Sequence, residues 1–502
     1  MKIRLIEPEP PGTHVWAKVL LPRLGLPIIA AALKTHGHDV LVYNPTMAPI
    51  DWDDVITSDL VGLSSTTSTA TTAYQFADDL RAKGVPTVIG GSHVTFMADE
   101  ALEHVDYVAR GEGGEQLMIE LIEALAGDRG LETVAGLSFT RDGRAVHNPP
   151  RAACPDLDAL PFPDLRLVVG ADKIKTVPIM TSWGCPFDCT FCSVTAMFGK
   201  KYRFRSAESV IAELKDKRPQ LIFFYDDNFA ANRKRLKRLL RMMIDEGLAV
   251  PWSAQVRTDV VRDQELLELM RDSGCHLVYL GLESVNQETL DNYEKAQTVD
   301  DIRRAIKVLH EYGIKSHGMF VLGADTDDVQ TVRDTVAFAR ENRIDTVMLN
   351  ILTPLPGTQQ FEEMDAEGRI FDKRWELYDA HHVVFEPRRM TPYELQMEVL
   401  RGYMRFYSLR TWLRYVFTFQ FTKRLLFHGW GMVIVRNWRR DERNKAFIEA
   451  SGACGRGPRR AAACVAWPSA WTSTDDPERA ADVPRAGGRA CHPGGAVLRS
   501  DT

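Results

Sequence analysis

Short apolar runs of strand length alternate with helical spacing along the first 126 residues. Residues 2–7, 38–43, 60–64, 85–89 and 105–109 read as strands. Residues 26–36, closed by Gly37, and 70–83, stopped by Gly84, read as helices, because glycine ends a helix at low steric cost. Continuous apolar strands separated by helices predict a parallel, doubly wound sheet. Residues 127–176 hold several prolines and no sustained period, and are expected to be a connector. A second βα series follows, with strands at 177–181, 221–225, 251–256, 276–282, 316–322 and 346–352. Pro178 falls near the start of the first of these, where a strand tolerates it best. Helices are predicted at 206–217, 264–273 and 301–312; Asp263 and Thr298 stand before the last two as caps, Gly274 and Gly313 after them. Six βα units are too few for a closed eight-unit barrel and predict a partial barrel, open at one side.

Residues 388–450 are helical in pattern and rich in aromatics and arginine. Their most apolar part, 412–435, is interrupted by Arg414, Lys423 and Arg424. It reads as a helix packed on the barrel, with peripheral contact to a membrane surface as the alternative. Residues 451–502 are dense in Ala, Gly, Pro and Arg, lack Lys and show no period. They are expected to be a disordered tail in which Cys454, Cys464 and Cys491 have no function; an altered reading frame would give the same composition. The expected domains are therefore 1–126, a linker 127–176, a barrel 177–387, a helical region 388–450 and the tail.

Composition narrows the partners. The chain has 502 residues, 45% hydrophobic and 26% charged, with a net charge of −6. That excludes a global basic surface for nucleic acid. No apolar run reaches the length of a membrane span, and the acidic, proline-rich N-terminus is not a secretory signal, so a cytoplasmic protein is expected. Eight cysteines are too few for a disulfide framework.

Three of those cysteines crowd together as Cys185-x3-Cys189-x2-Cys192, directly after the first strand of the second series. Three thiolates on one tight loop suit a cubane iron–sulfur cluster that leaves its fourth iron open to a substrate or cofactor. Zinc needs a fourth ligand, and no His or Cys lies close by in sequence; Cys154 and Cys275 are the nearest cysteines. Plain thiols and zinc stay as alternatives. At the carboxyl ends of the N-terminal strands, 64–67, 90–93 and 111–114 are rich in Gly, Ser and Thr. Such ends form either a ligand face or ordinary turns.

The cysteine motif in its βα context resembles the radical S-adenosylmethionine (SAM) superfamily over residues 177–355. The resemblance implies a 4Fe-4S cluster on Cys185, Cys189 and Cys192. Its open iron would bind the SAM amino and carboxylate groups, and an electron would cleave SAM to a 5′-deoxyadenosyl radical. Phe191 matches the aromatic residue before the last cysteine. Asp226 and Asp227 resemble the acidic second-strand motif near the SAM amino group. Gln255 and Arg257 leave the third strand, Arg257 as a partner for the SAM carboxylate. Glu283 is expected at the ribose hydroxyls, and Gly318 and Gly323 near adenine. An external electron donor such as flavodoxin or ferredoxin is implied.

A doubly wound, Rossmann-like domain ahead of such a barrel resembles the cobalamin-binding class of that superfamily. The segments VGLSSTT, VIGGSHVT and DYVARGEGGE carry the likeness. They imply cobalamin contacts from Ser64, Ser65, Thr66, Gly90, Gly91, His93, Gly111 and Glu112. The D-x-H-x-x-G motif, whose His ligates cobalt in many cobalamin proteins, is absent from residues 1–126, so cobalamin is expected without a histidine below cobalt. The resemblance implies a cobalamin-dependent methyltransferase acting on an unactivated carbon of a small molecule, a lipid or natural product. A radical SAM oxidoreductase, cyclase or dehydratase is the alternative, and a non-catalytic iron–sulfur protein the remote one.

Overall fold

The computed structural model describes residues 1–11, 20–154, 156–187, 189–409, 411–412 and 423–454, with side chains only for 428–451 in the last segment. The N-terminal sheet has seven strands: β1 (Lys2–Ile6), β2 (Asp39–Tyr43), β3 (Leu60–Ser64), β4 (Thr87–Gly90), β5 (Tyr107–Ala109), β6 (Leu137–Arg141) and β7 (Arg144–His147). Their order is β2-β1-β3-β4-β5-β6-β7. The first five are parallel, as the apolar runs predict. Helices Gly25–Thr35 and Gly114–Ala126 cover one face with Leu33, Leu117 and Leu121, and Ala70–Ala82 covers the other with Ala73, Ala77 and Leu80. A sheet wound on both faces places its ligand crevice beside β1 and β3, where the strand order reverses.

The last two strands correct the expected connector at 127–176. β6 joins β5 antiparallel, and β7 returns along β6. The turn is Asp142-Gly143, with φ of 50° and 71°. Both residues are left-handed, as the tight hairpin turn matching strand twist requires.

The second sheet is all parallel: β8 (Val177–Ile179), β11 (Ile222–Phe224), β12 (Trp252–Val256), β13 (Cys275–Glu283), β14 (Lys315–Leu322) and β15 (Thr346–Ile351), side by side in chain order. Two short strands, β9 (Ser182–Trp183) and β10 (Arg203–Phe204), pair separately. This is the open six-stranded partial barrel expected. Pro178 is tolerated because β8 is an edge strand. Asp263 and Thr298 do cap their helices, accepting from the Leu266 and Asp301 amides.

The other edge, β15, is closed by side chains. From helix Pro392–Phe406 and its end, Tyr403 Oη accepts the Leu349 N–H at 2.8 Å and Tyr407 Oη accepts the Val347 N–H at 2.9 Å. The Tyr407 hydroxyl donates back to the Val347 carbonyl at 3.0 Å. Edge amides that would recruit another strand are thus satisfied within the chain.

Segment 375–384 returns to the N-terminal sheet, where Trp375, Tyr378 and Val384 join the core under helix Ala70–Ala82. Helices Lys423–Arg440 and Glu442–Cys454 follow, the latter running past residue 450; residues 455–502 lie outside the described residues. Among the described residues no helix is long and apolar enough to cross a membrane.

Candidate functional site

The cysteine loop leaves β9 through Gly184, whose φ of 81° is left-handed; a Cβ there would stand 2.9 Å from the Lys201 carbonyl oxygen. The loop is closed by Cys192 N–H donating to the Cys189 carbonyl at 3.0 Å and by Thr195 Oγ1 donating to the Phe187 carbonyl at 3.0 Å. Cys185, Cys189 and Cys192 are half-buried and in no disulfide. Burial pushes all three thiols up, Cys192 to about 12. Arg257 and Lys295 oppose that rise at Cys185 and Cys189. Thiols in such a place ionise when a cationic centre binds them, which suits iron. Among the described residues no three His, Cys, Asp or Glu side chains converge on a single ion.

Groups from neighbouring strand ends stand near this loop. Arg257 lies 3.7 Å over the Phe187 ring and donates to the Lys295 carbonyl. Lys295 Nζ meets Glu283 Oε1 at 2.5 Å, both side chains buried. Glu283, Glu294 and Ala296 have φ of 60°, 52° and 51°, left-handed and without glycine. Such strain persists only where the surroundings enforce it; here it fixes the Lys295 turn against the end of β13. Gln297 anchors that turn, donating to the Gly281 and Leu282 carbonyls at 3.2 and 3.1 Å. Asp227 has no hydrogen-bond partner among the described residues. It is reached by water, yet the enclosing protein and the adjacent Asp226 push its pKa up to about 7. Gln255 is half-buried, and its side chain makes no hydrogen bond among the described residues. Phe191 packs 4.8 Å from Tyr293, centroid to centroid.

Several residues expected to contact the cofactor already have partners inside the fold. Asp226 is wholly buried and accepts from Thr181 N–H, Thr181 Oγ1 at 2.9 Å and Ser182 Oγ. Its carboxylate pins the approach to the cysteine loop. Glu283 is held by Lys295. A Cβ on Gly318 would meet Leu282, Ile344 and Phe320, so that glycine serves side-chain packing. Gly323, at φ 104°, turns toward Leu395 and donates its N–H to Asp327 at 3.0 Å. Lys295 was absent from the expected set. It stands twelve residues beyond Glu283 with no local motif to mark it.

The N-terminal strand ends divide likewise. Gly91 has φ 118° and ψ −179°, a region open essentially to glycine. A Cβ there would drive into the Ser65 carbonyl oxygen. Buried Ser65 donates its N–H to the Gly90 carbonyl at 2.7 Å. His93 is buried, with Nε2 3.4 Å from Glu100 and its ring 5.0 Å from Trp375. Glu112 is buried in a two-armed ion pair with Arg203. Ser65, Gly91, His93 and Glu112 are thus engaged within the fold. Ser64, Thr66 and Gly90 stay half-buried, and Gly111 is exposed with open space where a Cβ would stand. The other described histidines of this domain are engaged elsewhere: His36 with the Ala32 carbonyl, His38 with the N-terminus, His104 with Asp78, His147 with Ser138 and Asp99; His14 lies outside the described residues.

Residues 357–360 bridge the two sets of strand ends. Gly357 lets the Phe96 ring, beyond β4, approach its backbone, and Gln360 N–H donates to the Thr190 carbonyl inside the cysteine loop at 3.2 Å.

Known proteins are similar to both parts of this chain. Residues 179–354 match the radical SAM superfamily and residues 16–119 the B12 binding domain. An uncharacterized methyltransferase of Pyrococcus horikoshii is 31% identical over 405 residues, 77% of this chain and 88% of that one. The anaerobic magnesium-protoporphyrin IX monomethyl ester cyclase of Rubrivivax gelatinosus is 30% identical over 419 residues, 78% of this chain and 74% of that one. Among solved structures, the radical SAM methyltransferase TsrM from Kitasatospora setae, with cobalamin and a [4Fe-4S] cluster bound, superposes with a TM-score of 0.59. It is 19% identical and covers 73% of this chain and 75% of that one.

Proposed function

Because the chain belongs to the radical SAM superfamily, in the class that carries a B12-binding domain, and uses a 4Fe-4S cluster, SAM and cobalamin, we propose that it transfers a methyl group to an unactivated carbon of a small molecule. When bound, the cluster and SAM supply a hydrogen-abstracting radical, and cobalamin carries the methyl group. Cys185, Cys189 and Cys192 hold the cluster. Lys295 and Arg257, two cations beside the thiols, receive the SAM carboxylate by charge-assisted contacts. Asp227, with no other partner, faces the SAM amino group, and Phe191 and Gln255 line that pocket. Glu283 acts through Lys295, holding it in place. Ser64, Thr66, Gly90 and Gly111 form the cobalamin face. An external one-electron donor of flavodoxin or ferredoxin type completes the system, and a lipid or natural product is the expected substrate class.

The observation that supports this reading is the bridge at 357–360, which ties the loop after β4 to the cysteine loop. Methyl transfer needs both cofactors to reach one substrate carbon. The test is product stoichiometry with candidate substrates under anaerobic conditions. S-adenosylhomocysteine and 5′-deoxyadenosine should rise in step with methylated product. The cyclase relative motivates the second reading; 5′-deoxyadenosine without matching S-adenosylhomocysteine, at full cobalamin loading, would establish it and end the methyltransferase proposal.

A further inference from the structure

Residues 399–440 contain nine arginines and lysines and no aspartate or glutamate, in a chain of net charge −6. Helix Lys423–Arg440 crosses this basic stretch. It buries His428, Gly431 and Trp438 against the body of the protein. Outward it turns Trp430, Val433, Arg436, Arg439 and Arg440. Trp430 is 44% exposed and Val433 50%, and Leu409 on the preceding connection is 61% exposed.

Single exposed apolar side chains are ordinary. Here a tryptophan and a valine stand one turn apart, with cations one and two turns further along the same helix. Those cations also differ from several paired arginines elsewhere on the surface. Arg262 meets Asp301 at 2.9 Å, Arg388 meets Asp325 at 2.8 Å, and Arg238 and Arg241 pair with Glu208 and Glu265. Arg436, Arg439 and Arg440 make no ion pair among the described residues; Arg439 donates only to Met404 Sδ, at 3.1 Å. A cavity of about 170 Å³ lies under the same helix, walled by Tyr279, Tyr403, Tyr407 and Ile434, with Trp430 at its rim. That volume holds a compact apolar group.

Unpaired guanidinium groups beside exposed Trp and Val match the boundary of a bilayer, where phosphates meet acyl chains. We propose that the outward face of helix Lys423–Arg440 docks on an anionic phospholipid surface. Trp430 and Val433 enter the headgroup boundary, Arg436, Arg439 and Arg440 meet lipid phosphates, and the cavity rim is set at the membrane. The contact is peripheral, and it does not depend on which reaction the barrel performs.

The test is flotation of the anaerobically purified full-length holoenzyme with vesicles of phosphatidylcholine alone or mixed with phosphatidylglycerol. The protein should float with the mixed vesicles and stay behind with the neutral ones. R436Q, R439Q and R440Q together should lower the partition by about a hundredfold, since each cation near an anionic surface contributes a factor of roughly five. W430S with V433S should lower it by about tenfold, the scale of removing two partly inserted apolar side chains. R238Q, R241Q and R262Q together, which remove the same charge elsewhere, should leave it unchanged. Iron content and SAM cleavage, read on the same preparations, should be unchanged in every variant, which separates this proposal from the assignment of the reaction. Absence of flotation, equal flotation on neutral vesicles, or equal loss in the R238Q/R241Q/R262Q control would overturn it. So would a dimer in sedimentation velocity, dissolved by W430S, in place of vesicle binding.

Discussion

The carboxyl ends of the two parallel sheets have similar composition and different chemistry. At the barrel mouth the three thiols and the water-reached Asp227 carboxylate lie beside two cations, Lys295, paired with Glu283 on a strained turn, and Arg257, which donates to the Lys295 carbonyl. At the N-terminal sheet, Ser65, Gly91, His93 and Glu112 already have partners inside the fold. Ser64, Thr66 and Gly90 are half-buried there and Gly111 is exposed, with the Thr66 N–H and hydroxyl turned to Thr69. The difference teaches that glycine- and hydroxyl-rich strand ends do not by themselves mark a ligand face. A Gly is for a ligand when the space beside it is empty, and for the fold when a backbone fills it.

The largest effect that would sharpen this contrast is at the thiols. Cys185→Ala, Cys189→Ala or Cys192→Ala should each leave substoichiometric iron after anaerobic reconstitution and abolish SAM cleavage, while Cys154→Ala and buried Cys275→Ala retain both. Full iron loading in Cys189→Ala would break the barrel half of the comparison.

Gly91→Ala tests the other half. Adding a Cβ at φ 118° against the Ser65 backbone should cost about 3 kcal/mol or more, seen as a lower thermal midpoint even without cobalamin. Gly111→Ala meets open space at φ 76° and should cost only about 1 kcal/mol, the ordinary penalty for a left-handed alanine, while weakening cobalamin uptake. If Gly91→Ala kept full stability and lost only cobalamin, the assignment of Gly91 to the fold would fail.

Lys295 follows in size. Lys295→Ala should weaken SAM binding about tenfold, the loss of one charge-assisted contact, and Lys295→Arg should recover most of it. Since removing one partner of a buried pair is itself destabilising, Lys295→Ala with Glu283→Gln should be more stable than Lys295→Ala alone. SAM affinity unchanged in Lys295→Ala would leave the lysine a purely structural role.

The smallest effect is at Asp227. Its folded pKa, near 7, lies above its unfolded value. The unfolded chain therefore loses this proton first, and stability falls as pH rises from about 4 to 7. Protein lacking the cluster and carrying Asp227→Asn should match the parent at pH 4 and exceed it at pH 8 by about 1 kcal/mol, a figure reduced for the water that reaches the group. Parallel stability–pH curves for the two proteins would show that the mouth does not penalise this charge.

Much of this architecture follows from local order in the chain. Five parallel N-terminal strands and six barrel strands stand within a few residues of their apolar runs, because a strand buried on both faces must be apolar throughout. Asp263 and Thr298 cap their helices because a cap is a contact of two or three residues. The Asp142-Gly143 turn was equally legible as a two-residue hairpin signal, yet it lay in a stretch set aside for its prolines. The three cysteines could be read because one loop carries them all.

Only the tertiary structure decided which polar residues remain free. Asp226 and Asp227 are neighbours in sequence; one is consumed by Thr181 and Ser182 across the sheet, while the other is left at the mouth. Glu283 and Lys295 become a pair only when a left-handed turn folds back on β13. Tyr403 and Tyr407 seal the edge of β15 from more than fifty residues away. The periodicity of a strand or helix is written in successive residues, but the partner of a buried charge, or the atom that fills the space beside a glycine, comes from a distant part of the chain and exists only once the chain has closed on itself.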